Sequence, residues 1–213
     1  MNLDLSLYLV TDAGTATAAG HDLVELVQAA AQNGVTAVQI REKHAPARDF
    51  LATVLRVSAA IPQHVALIIN DRVDVFLAAR AAGVRVTGVH VGQSDLPVAA
   101  VRNLIGADAV LGLSAATPEQ LASASGVADY VGIGALHPTT TKSDAPATLG
   151  HDKFARLVAL SELPAVAIGG VRASDLAPLR HAGAAGAAVV SAICAATDPA
   201  QAASQLRATW DAA

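Results

Sequence analysis

The chain has 213 residues, of which 53% are hydrophobic and 15% are charged, and its formal net charge is −4. This length suffices for one large core, and no shift in composition marks a second one, so a single domain over residues 1–213 is expected. The slightly acidic balance without a basic stripe argues against nucleic acid as a partner, and no apolar run approaches the roughly 20 residues that a membrane-spanning helix needs.

The amino-terminal segment and the cysteine count indicate the compartment. Met1 to Asp12 lacks the basic flank and long apolar stretch of a signal peptide, and Asp4 interrupts it early. Cys194 is the only cysteine, so an intramolecular disulfide is excluded, and its apolar surroundings predict a small buried side chain. A cytoplasmic location is therefore expected.

Short apolar runs alternate along the chain with segments of helical spacing, each closed by Gly or Pro. The first strand is followed by a loop of small residues. The predicted strands are Leu5–Val10, Val35–Ile40, Val65–Ile69, Gly88–Val91, Ala109–Leu113, Tyr130–Ile133, Ala165–Ile168 and Ala187–Val190. The predicted helices are Asp22–Gln32, Pro46–Ile61, Arg72–Ala82, Pro97–Ile105, Pro118–Ala124, Asp152–Ser161, Ala173–His181 and Pro199–Trp210.

This alternation predicts an α/β fold with parallel strands. Eight strand–helix units in a chain of this length match a single (β/α)8 TIM barrel better than a doubly wound sheet, and no G-x-G-x-x-G fingerprint is present. In such a barrel the functional face is built by the loops that follow the strands. Polar residues just beyond each strand are therefore the candidate site residues.

The second strand ends in a cluster of long polar side chains. Strand alternation sends Gln39, Arg41 and Lys43 to one face and Val38, Ile40 and Glu42 to the other. Two cations and an amide at a buried strand end predict a pocket for an anion, most simply a phosphorylated ligand. The alternative is a solvated strand end with structural ion pairs, and the strand alone does not decide between the two.

Carboxylates follow the third and fourth strands. Asn70-Asp71 and Asp95 lie at adjacent strand ends, and two carboxylates beside a cationic pocket suit Mg2+ with substrate phosphate. Either Asp by itself is better explained as a helix cap, because each precedes a predicted helix. Their coincidence with Arg41 and Lys43 favours the metal site.

The later strand ends offer further anion ligands. The hydroxyl-rich run from Thr139 to Lys142 sits in an unusually long loop and is interpreted as a lid, with a flexible polar loop as the alternative. Gly169-Gly170 and Val190-Ser191 end the last two strands, where backbone N–H groups can bind phosphate. A tight turn is the alternative for the glycine pair.

The histidines carry less information. His90 stands at a strand end and is expected to orient a neighbouring loop, and His137 adjoins the expected lid. The others are expected at the surface, and none has the sequence spacing of a metal ligand.

Taken together, the motifs resemble the thiamine phosphate synthase family. They are Tyr8-Leu9-Val10-Thr11-Asp12, Val38-Gln39-Ile40-Arg41-Glu42-Lys43, Ile69-Asn70-Asp71-Arg72-Val73-Asp74, Gly88-Val89-His90-Val91-Gly92-Gln93 with Asp95-Leu96, Gly112-Leu113-Ser114, Thr139 to Lys142, Ala167-Ile168-Gly169-Gly170 and Val190-Ser191-Ala192-Ile193. They span nearly the whole chain in the family's order. The chain departs from the family's pattern at Ala135 and His137 and in a longer link over residues 78–88.

The resemblance implies a transferase that joins a hydroxymethylpyrimidine diphosphate to a thiazole phosphate, with release of pyrophosphate, through a dissociative mechanism. Small phosphorylated molecules are then its substrates and Mg2+ its cofactor, bound by Asp71 and Asp95. The residues implied in catalysis are Arg41, Lys43, Lys142 and Ser114. The residues implied in substrate binding are Gln39, Ile40, Arg41, Glu42, Lys43, Asn70, Ser114, Thr139, Thr140, Thr141, Lys142, Gly170, Val190 and Ser191.

Two other functions compete with this one. A related thiazole tautomerase on the same barrel has little need of Arg41, Lys43 and Lys142, and a non-catalytic barrel that senses a thiamine precursor would lack the Mg2+ carboxylates. The chain contains both sets of residues. A homo-oligomer is compatible with the apolar helices, but in so Ala-rich a chain the faces needed for a core and for an interface are not separable.

Overall fold

The computed structural model describes residues 3–139 and 148–213 and contains a closed barrel of eight parallel strands. Each strand pairs with the next in sequence, and β8 pairs with β1 to close the ring. The strands are β1 Leu7–Val10, β2 Ala37–Ile40, β3 Ala66–Asn70, β4 Gly88–Val91, β5 Val110–Ala115, β6 Tyr130–Ile133, β7 Ala165–Ala167 and β8 Gly186–Val189. The predicted TIM barrel is confirmed.

Helices surround the barrel. They are α1 Ala13–Ala18, α2 Leu23–Gln32, α3 Ala47–Ala60, α4 Val73–Ala81, α5 Val98–Ile105, α6 Pro118–Ala124, α7 Gly150–Leu160, α8 Leu176–His181, α9 Ser191–Cys194 and α10 Pro199–Asp211, with a 3-10 turn at Ala173–Asp175 before α8. Thr117 and Asp198 cap α6 and α10 through side-chain oxygens, and each is followed by Pro at the first helical position.

The prediction of a loop after the first strand is wrong, because Ala13–Ala18 forms the helix α1. The Asp12 side chain accepts a hydrogen bond from the Thr15 N–H at 2.8 Å, which caps a segment rich in helix-favouring alanine. The short α9 directly after β8 was likewise not among the predicted helices. Helices this short carry too little periodicity to be recognised in a sequence.

Strand alternation divides the core into two layers. Leu7, Leu9, Val38 and Ile40 belong to the larger layer between strands and helices, and their counterparts on the other strands follow the same rule. The inner layer fills the barrel itself and comprises Leu5, Tyr8, Val10, Ala37, Ala66, Ile68, Tyr130, Val166 and Ala188. Small inward-facing residues leave room in this inner layer for a few large polar side chains.

The expected burial of Cys194 is confirmed. Cys194 is fully buried, and burial raises the pKa of its thiol to about 11. In the described part of the chain, none of the helices has the length and apolar character to cross a membrane.

Barrel closure depends on close contact at Gly186. A Cβ atom placed on this residue would lie 1.7 Å from the carbonyl oxygen of Leu5, which is far inside van der Waals contact. We expect Gly186→Ala to lower the free energy of unfolding by about 3 kcal/mol, because a backbone atom cannot move aside as a flexible side chain can. Urea denaturation followed by circular dichroism measures this loss.

Gly14→Ala is the matched control. Its Cβ would meet only Asp12 Oδ1 at 3.5 Å, and alanine is favoured inside α1. An unchanged urea midpoint in Gly186→Ala would contradict the closure argument.

Candidate active site

A cavity of about 370 Å³ opens at the carboxyl ends of the barrel strands. Its wall brings together nearly all of the predicted site residues that the structure describes, although they come from seven different strand ends. The predicted residues in its wall are Gln39, Arg41, Lys43, Asn70, Asp71, Asp95, Ser114, Thr139, Gly170, Val190 and Ser191. Thr140, Thr141 and Lys142 lie outside the described residues.

The end of β2 places its polar side chains as the alternation predicted. Gln39, Arg41 and Lys43 line the cavity, with Gln39 buried in the barrel and Lys43 exposed at the rim. Ile40 instead packs in the outer core, and Glu42 also lies outside the cavity wall. The side chains of Gln39, Arg41 and Lys43 can therefore contact a ligand in the cavity, whereas those of Ile40 and Glu42 do not line it.

Arg41 is held in place by residues that follow β1. Its Nη1 lies 3.6 Å from Asp12 Oδ2, and its backbone N–H donates to Thr11 Oγ1 at 3.0 Å. The Arg41 side chain is 14% exposed. The structural ion pair weighed for this strand end is thus present, and the guanidinium still forms part of the cavity wall.

Asp71 and Asp95 do not cap the helices that follow them. Neither α4 nor α5 has a side-chain hydrogen bond at its N-cap, which is Arg72 in one and Pro97 in the other. Asp95 Oδ2 accepts from the Gly92 N–H at 2.7 Å, which closes the turn after β4 and places the carboxylate on the cavity. The structure therefore contradicts the alternative that Asp71 and Asp95 are helix caps.

The two carboxyl groups repel each other. Burial together with the charge and hydrogen bond of Asp95 raises the pKa of Asp71 to about 6, against the opposing effects of Asn70 and Lys43. Asp71 also has a left-handed backbone with φ of 58°, which is uncommon for a residue other than Gly. A pair of facing carboxylates with oxygen ligands beside a cationic rim fits a hard divalent cation such as Mg2+.

A chain of buried hydrogen bonds forms the floor of the cavity. Gln39 Nε2 donates to the Tyr8 hydroxyl at 2.8 Å, and this hydroxyl lies 2.8 Å from that of Tyr130. The Tyr130 hydroxyl lies 2.9 Å from His90 Nδ1, and His90 Nε2 lies 3.0 Å from Ser114 Oγ. Burial raises the pKa of both phenols well above the usual value, so both remain neutral donors.

Gly112 leaves the space that this series of hydrogen bonds needs. A Cβ on Gly112 would lie 2.3 Å from Tyr130 Cζ and 2.4 Å from His90 Nδ1, so any side chain there would separate the two rings. His90 therefore orients Ser114 through a direct hydrogen bond, and Gln93 adds a second link by donating to the Ser114 carbonyl at 2.6 Å. The bonds of His90 to Tyr130 and Ser114 join it to strands β6 and β5, and its role in orienting a neighbouring loop stays a prediction.

The opposite side of the cavity consists mainly of backbone and small residues. Gly169 and Gly170 both have positive φ, and Gly170, Val190 and Ser191 line the wall beside Thr139. A wider groove of about 850 Å³ adjoins this side and shares Thr139, Gly170, Val171 and Ser191 with the cavity. The arrangement suits an anion that is bound by backbone N–H groups.

Sequence reasoning missed several residues of this site. Tyr8 and Tyr130 carry the buried hydrogen bonds, and Arg172 adds a cation to the groove wall. Arg172 follows the Gly-Gly pair by two positions, a spacing that could have drawn attention to it. The tyrosines gave no such signal, because an aromatic residue inside a strand is most simply explained as core.

Comparison with known proteins places the whole chain in one family. Residues 7–193 match the family model described as "Thiamine monophosphate synthase". A thiamine-phosphate synthase of Azorhizobium caulinodans is 46% identical over 207 residues, which cover 96% of this chain and 94% of that protein. One of Chloroflexus aurantiacus is 45% identical over 212 residues, with 97% and 93% covered.

Two solved structures superimpose on this barrel over nearly its whole length. The thiamine phosphate pyrophosphorylase of Pyrococcus furiosus superimposes with a TM-score of 0.85 at 29% identity, covering 99% of this chain and 97% of that one. A 3-hexulose-6-phosphate synthase superimposes with a TM-score of 0.71 at 18% identity over 96% of this chain and 99% of its own, a likeness that concerns the fold alone.

The buried hydrogen bonds predict a measurable coupling. Tyr130→Phe should lower the free energy of unfolding by about 1–3 kcal/mol, because the buried Tyr8 hydroxyl and His90 Nδ1 each lose a hydrogen-bond partner. Tyr8→Phe removes the other hydroxyl of the same pair. The double variant should lose less than the sum of the two, since one shared hydrogen bond is counted twice. Urea unfolding of the three variants tests this, and strictly additive losses would contradict a shared bond.

Proposed function

Because the chain belongs to the thiamine monophosphate synthase family and is a transferase like its relatives named thiamine-phosphate synthase, we propose that it joins a hydroxymethylpyrimidine diphosphate to a thiazole phosphate. The products are thiamine phosphate and pyrophosphate, and the carboxylated thiazole phosphate is an equivalent acceptor. The observation that carries the proposal is one cavity with two unlike ends. Cations and carboxylates stand at one end, and glycine backbone stands at the other.

The charged end is assigned to the diphosphate. Arg41 and Lys43 offer positive charge, and Gln39, Asn70 and Ser114 offer hydrogen bonds to the phosphate oxygens and the pyrimidine. Asp12 holds Arg41, so its guanidinium is oriented before the substrate binds. Pre-oriented charge of this kind stabilises a leaving group without reorganisation during the reaction.

Asp71 and Asp95 are assigned to Mg2+. Burial and the nearby charge of Asp95 raise the pKa of Asp71, and a divalent cation held by both carboxylates would offset their negative charge. When bound, Mg2+ supplies positive charge that stabilises the departing diphosphate. Lys43 stands close enough to Asp71 to affect its pKa, so the carboxylate pair and the lysine can act on the same phosphate group.

The backbone end is assigned to the thiazole phosphate. The N–H groups around Gly170 and Ser191, together with Thr139, are suited to phosphate oxygens, and Arg172 adds charge from the adjoining groove. Thr140, Thr141 and Lys142 are proposed to complete the two phosphate sites.

The proposed chemistry explains the residue types. Loss of diphosphate from an electron-rich pyrimidinylmethyl carbon leaves a stabilised cation, and the thiazole nitrogen attacks it directly. Such a dissociative path requires no protein nucleophile. The protein therefore acts by stabilising the leaving group and by aligning two heterocycles across one cavity.

Pyrophosphate release from the two half-molecules with Mg2+ tests the proposal. Thiamine phosphate should form together with an equal amount of pyrophosphate. Lys43→Gln should reduce kcat/KM by about 100-fold, because it removes a charge beside the leaving group. Lys153→Gln is the matched control, since this lysine is exposed on α7, away from the cavity wall, and its loss should leave the rate unchanged.

The same assay separates the competing functions. Turnover of a thiazole carboxylate phosphate alone, with no product from the two half-molecules, would identify a tautomerase and reduce Arg41 and Lys43 to a structural role. Binding of the substrates without any turnover would favour a sensor.

The carboxylate pair gives a separate prediction. Asp95→Asn keeps an oxygen that can accept from the Gly92 N–H but removes the charge. It should raise the Mg2+ concentration needed for half-maximal activity by at least about tenfold. Asp49→Asn, at an exposed carboxylate in the first turn of α3, should leave that concentration unchanged. An equal Mg2+ requirement in wild type and Asp95→Asn would exclude Asp95 as a ligand.

A further inference from the structure

Three side chains outside the barrel-mouth cavity converge on one point. His137 follows β6, His151 lies in the first turn of α7, and Asp175 ends the 3-10 turn after β7. The Nε2 atoms of His137 and His151 lie 2.9 Å and 3.0 Å from the same oxygen, Asp175 Oδ1. The three potential ligand atoms all lie within 4.8 Å of one another. We propose that His137, His151 and Asp175 form a binding site for a divalent transition-metal ion of the zinc type.

Two of the three separations between ligand atoms are close to those of a metal site, and the third, between the two nitrogens, is within 4.8 Å. Tetrahedral zinc with bonds of roughly 2.0–2.1 Å places neighbouring ligand atoms about 3.3 Å apart. The nitrogen–oxygen distances here would need to lengthen by only a few tenths of an ångström. The two imidazole rings are inclined at 68° with centroids 5.6 Å apart, so they are T-shaped and do not stack.

The carboxylate is already fixed in a ligand's orientation. Asp175 is 5% exposed, and its Oδ2 accepts from the Arg172 N–H at 2.8 Å, which leaves Oδ1 directed at the two imidazoles. Metal-bound carboxylates are commonly held by such outer hydrogen bonds. The imidazoles of His137 and His151 are 24% and 39% exposed, so the cluster is open to solvent and water would supply the fourth ligand of a bound ion.

The donor set decides which metals suit the site. Two imidazole nitrogens and one carboxylate oxygen suit Zn2+, Co2+ or Ni2+, whereas Mg2+ prefers oxygen ligands throughout. The cluster is therefore chemically distinct from the pair Asp71 and Asp95. Two protonated Nε2 atoms that share one carboxylate oxygen would give a similar spacing without an ion, and the experiment below distinguishes the two states.

An ion here would join three segments beside the backbone end of the cavity. His137 packs directly over Gly170, since a Cβ on that glycine would lie 2.8 Å from the His137 Cβ. The metal would hold the start of the loop after β6 against α7 and the turn after β7. Occupancy of the site would thus stabilise the wall that contains Gly170.

The test uses the untagged full chain, stripped of metal and then supplied with excess Mg2+ to occupy oxygen-rich sites. Isothermal titration with Zn2+ should give one ion per chain. His137→Gln and His151→Gln should each weaken binding by about 100-fold, because a ligand is lost from a three-residue set. His181→Gln is the matched control, since this exposed histidine lies outside the cluster and bonds the Ala177 carbonyl of its own helix. Co2+ in the wild-type chain should show the strong visible absorption of tetrahedral cobalt.

Two results would overturn the proposal. If the wild-type chain binds no Zn2+ in the titration, the cluster is only a hydrogen-bonded His–Asp–His group. One equivalent that persists in both His137→Gln and His151→Gln would place the ion elsewhere. Circular dichroism of each metal-free variant confirms that the barrel is folded, and zinc-edge anomalous diffraction gives the ion's position independently. These measurements read metal binding and do not depend on the proposed transferase activity.

Discussion

The chain of hydrogen bonds through the barrel interior is the constraint on which the site depends. It joins β2, β1, β6, β4 and β5, so side chains from five strands are hydrogen-bonded to one another. Buried polar groups are costly unless paired, and pairing fixes the relative position of these strands. Its two ends, Gln39 and Ser114, are both in the cavity wall. The interior that supports the barrel therefore also positions the ligands.

Charge is distributed unevenly around the cavity mouth. One side combines the cations Arg41 and Lys43 with the carboxylates Asp71 and Asp95, so groups of both signs line the same part of the wall. Among the residues that the structure describes, the other side offers glycine backbone, and Arg172 adds positive charge from the adjoining groove. A cavity with one strongly charged end and one backbone end suits two anionic groups of different charge. The proposed substrates differ in this way, since one carries a diphosphate and the other a single phosphate.

The predicted fold was largely correct because its signals are local and repeated. Each β/α unit carries its own apolar run, helical spacing and Gly or Pro stop, and the eightfold repetition outweighs errors at single boundaries. The errors fell on segments too short for periodicity, namely α1 and α9. Strand ends shifted by one or two residues, as at β1, which begins at Leu7 and not at Leu5.

The site could be predicted in outline by the rule that polar residues follow barrel strands, and Gln39, Arg41 and Lys43 took the predicted face of β2 for this reason. That rule depends on sequence alone, as does the order of motifs that identifies the family. Only the tertiary structure decided which side chains meet across the barrel. Tyr130 reaches His90 because Gly112 on the intervening strand has no side chain, and His137, His151 and Asp175 converge from three separate segments. Such contacts depend on distances between strands and loops that are remote in sequence, and no local pattern records those distances.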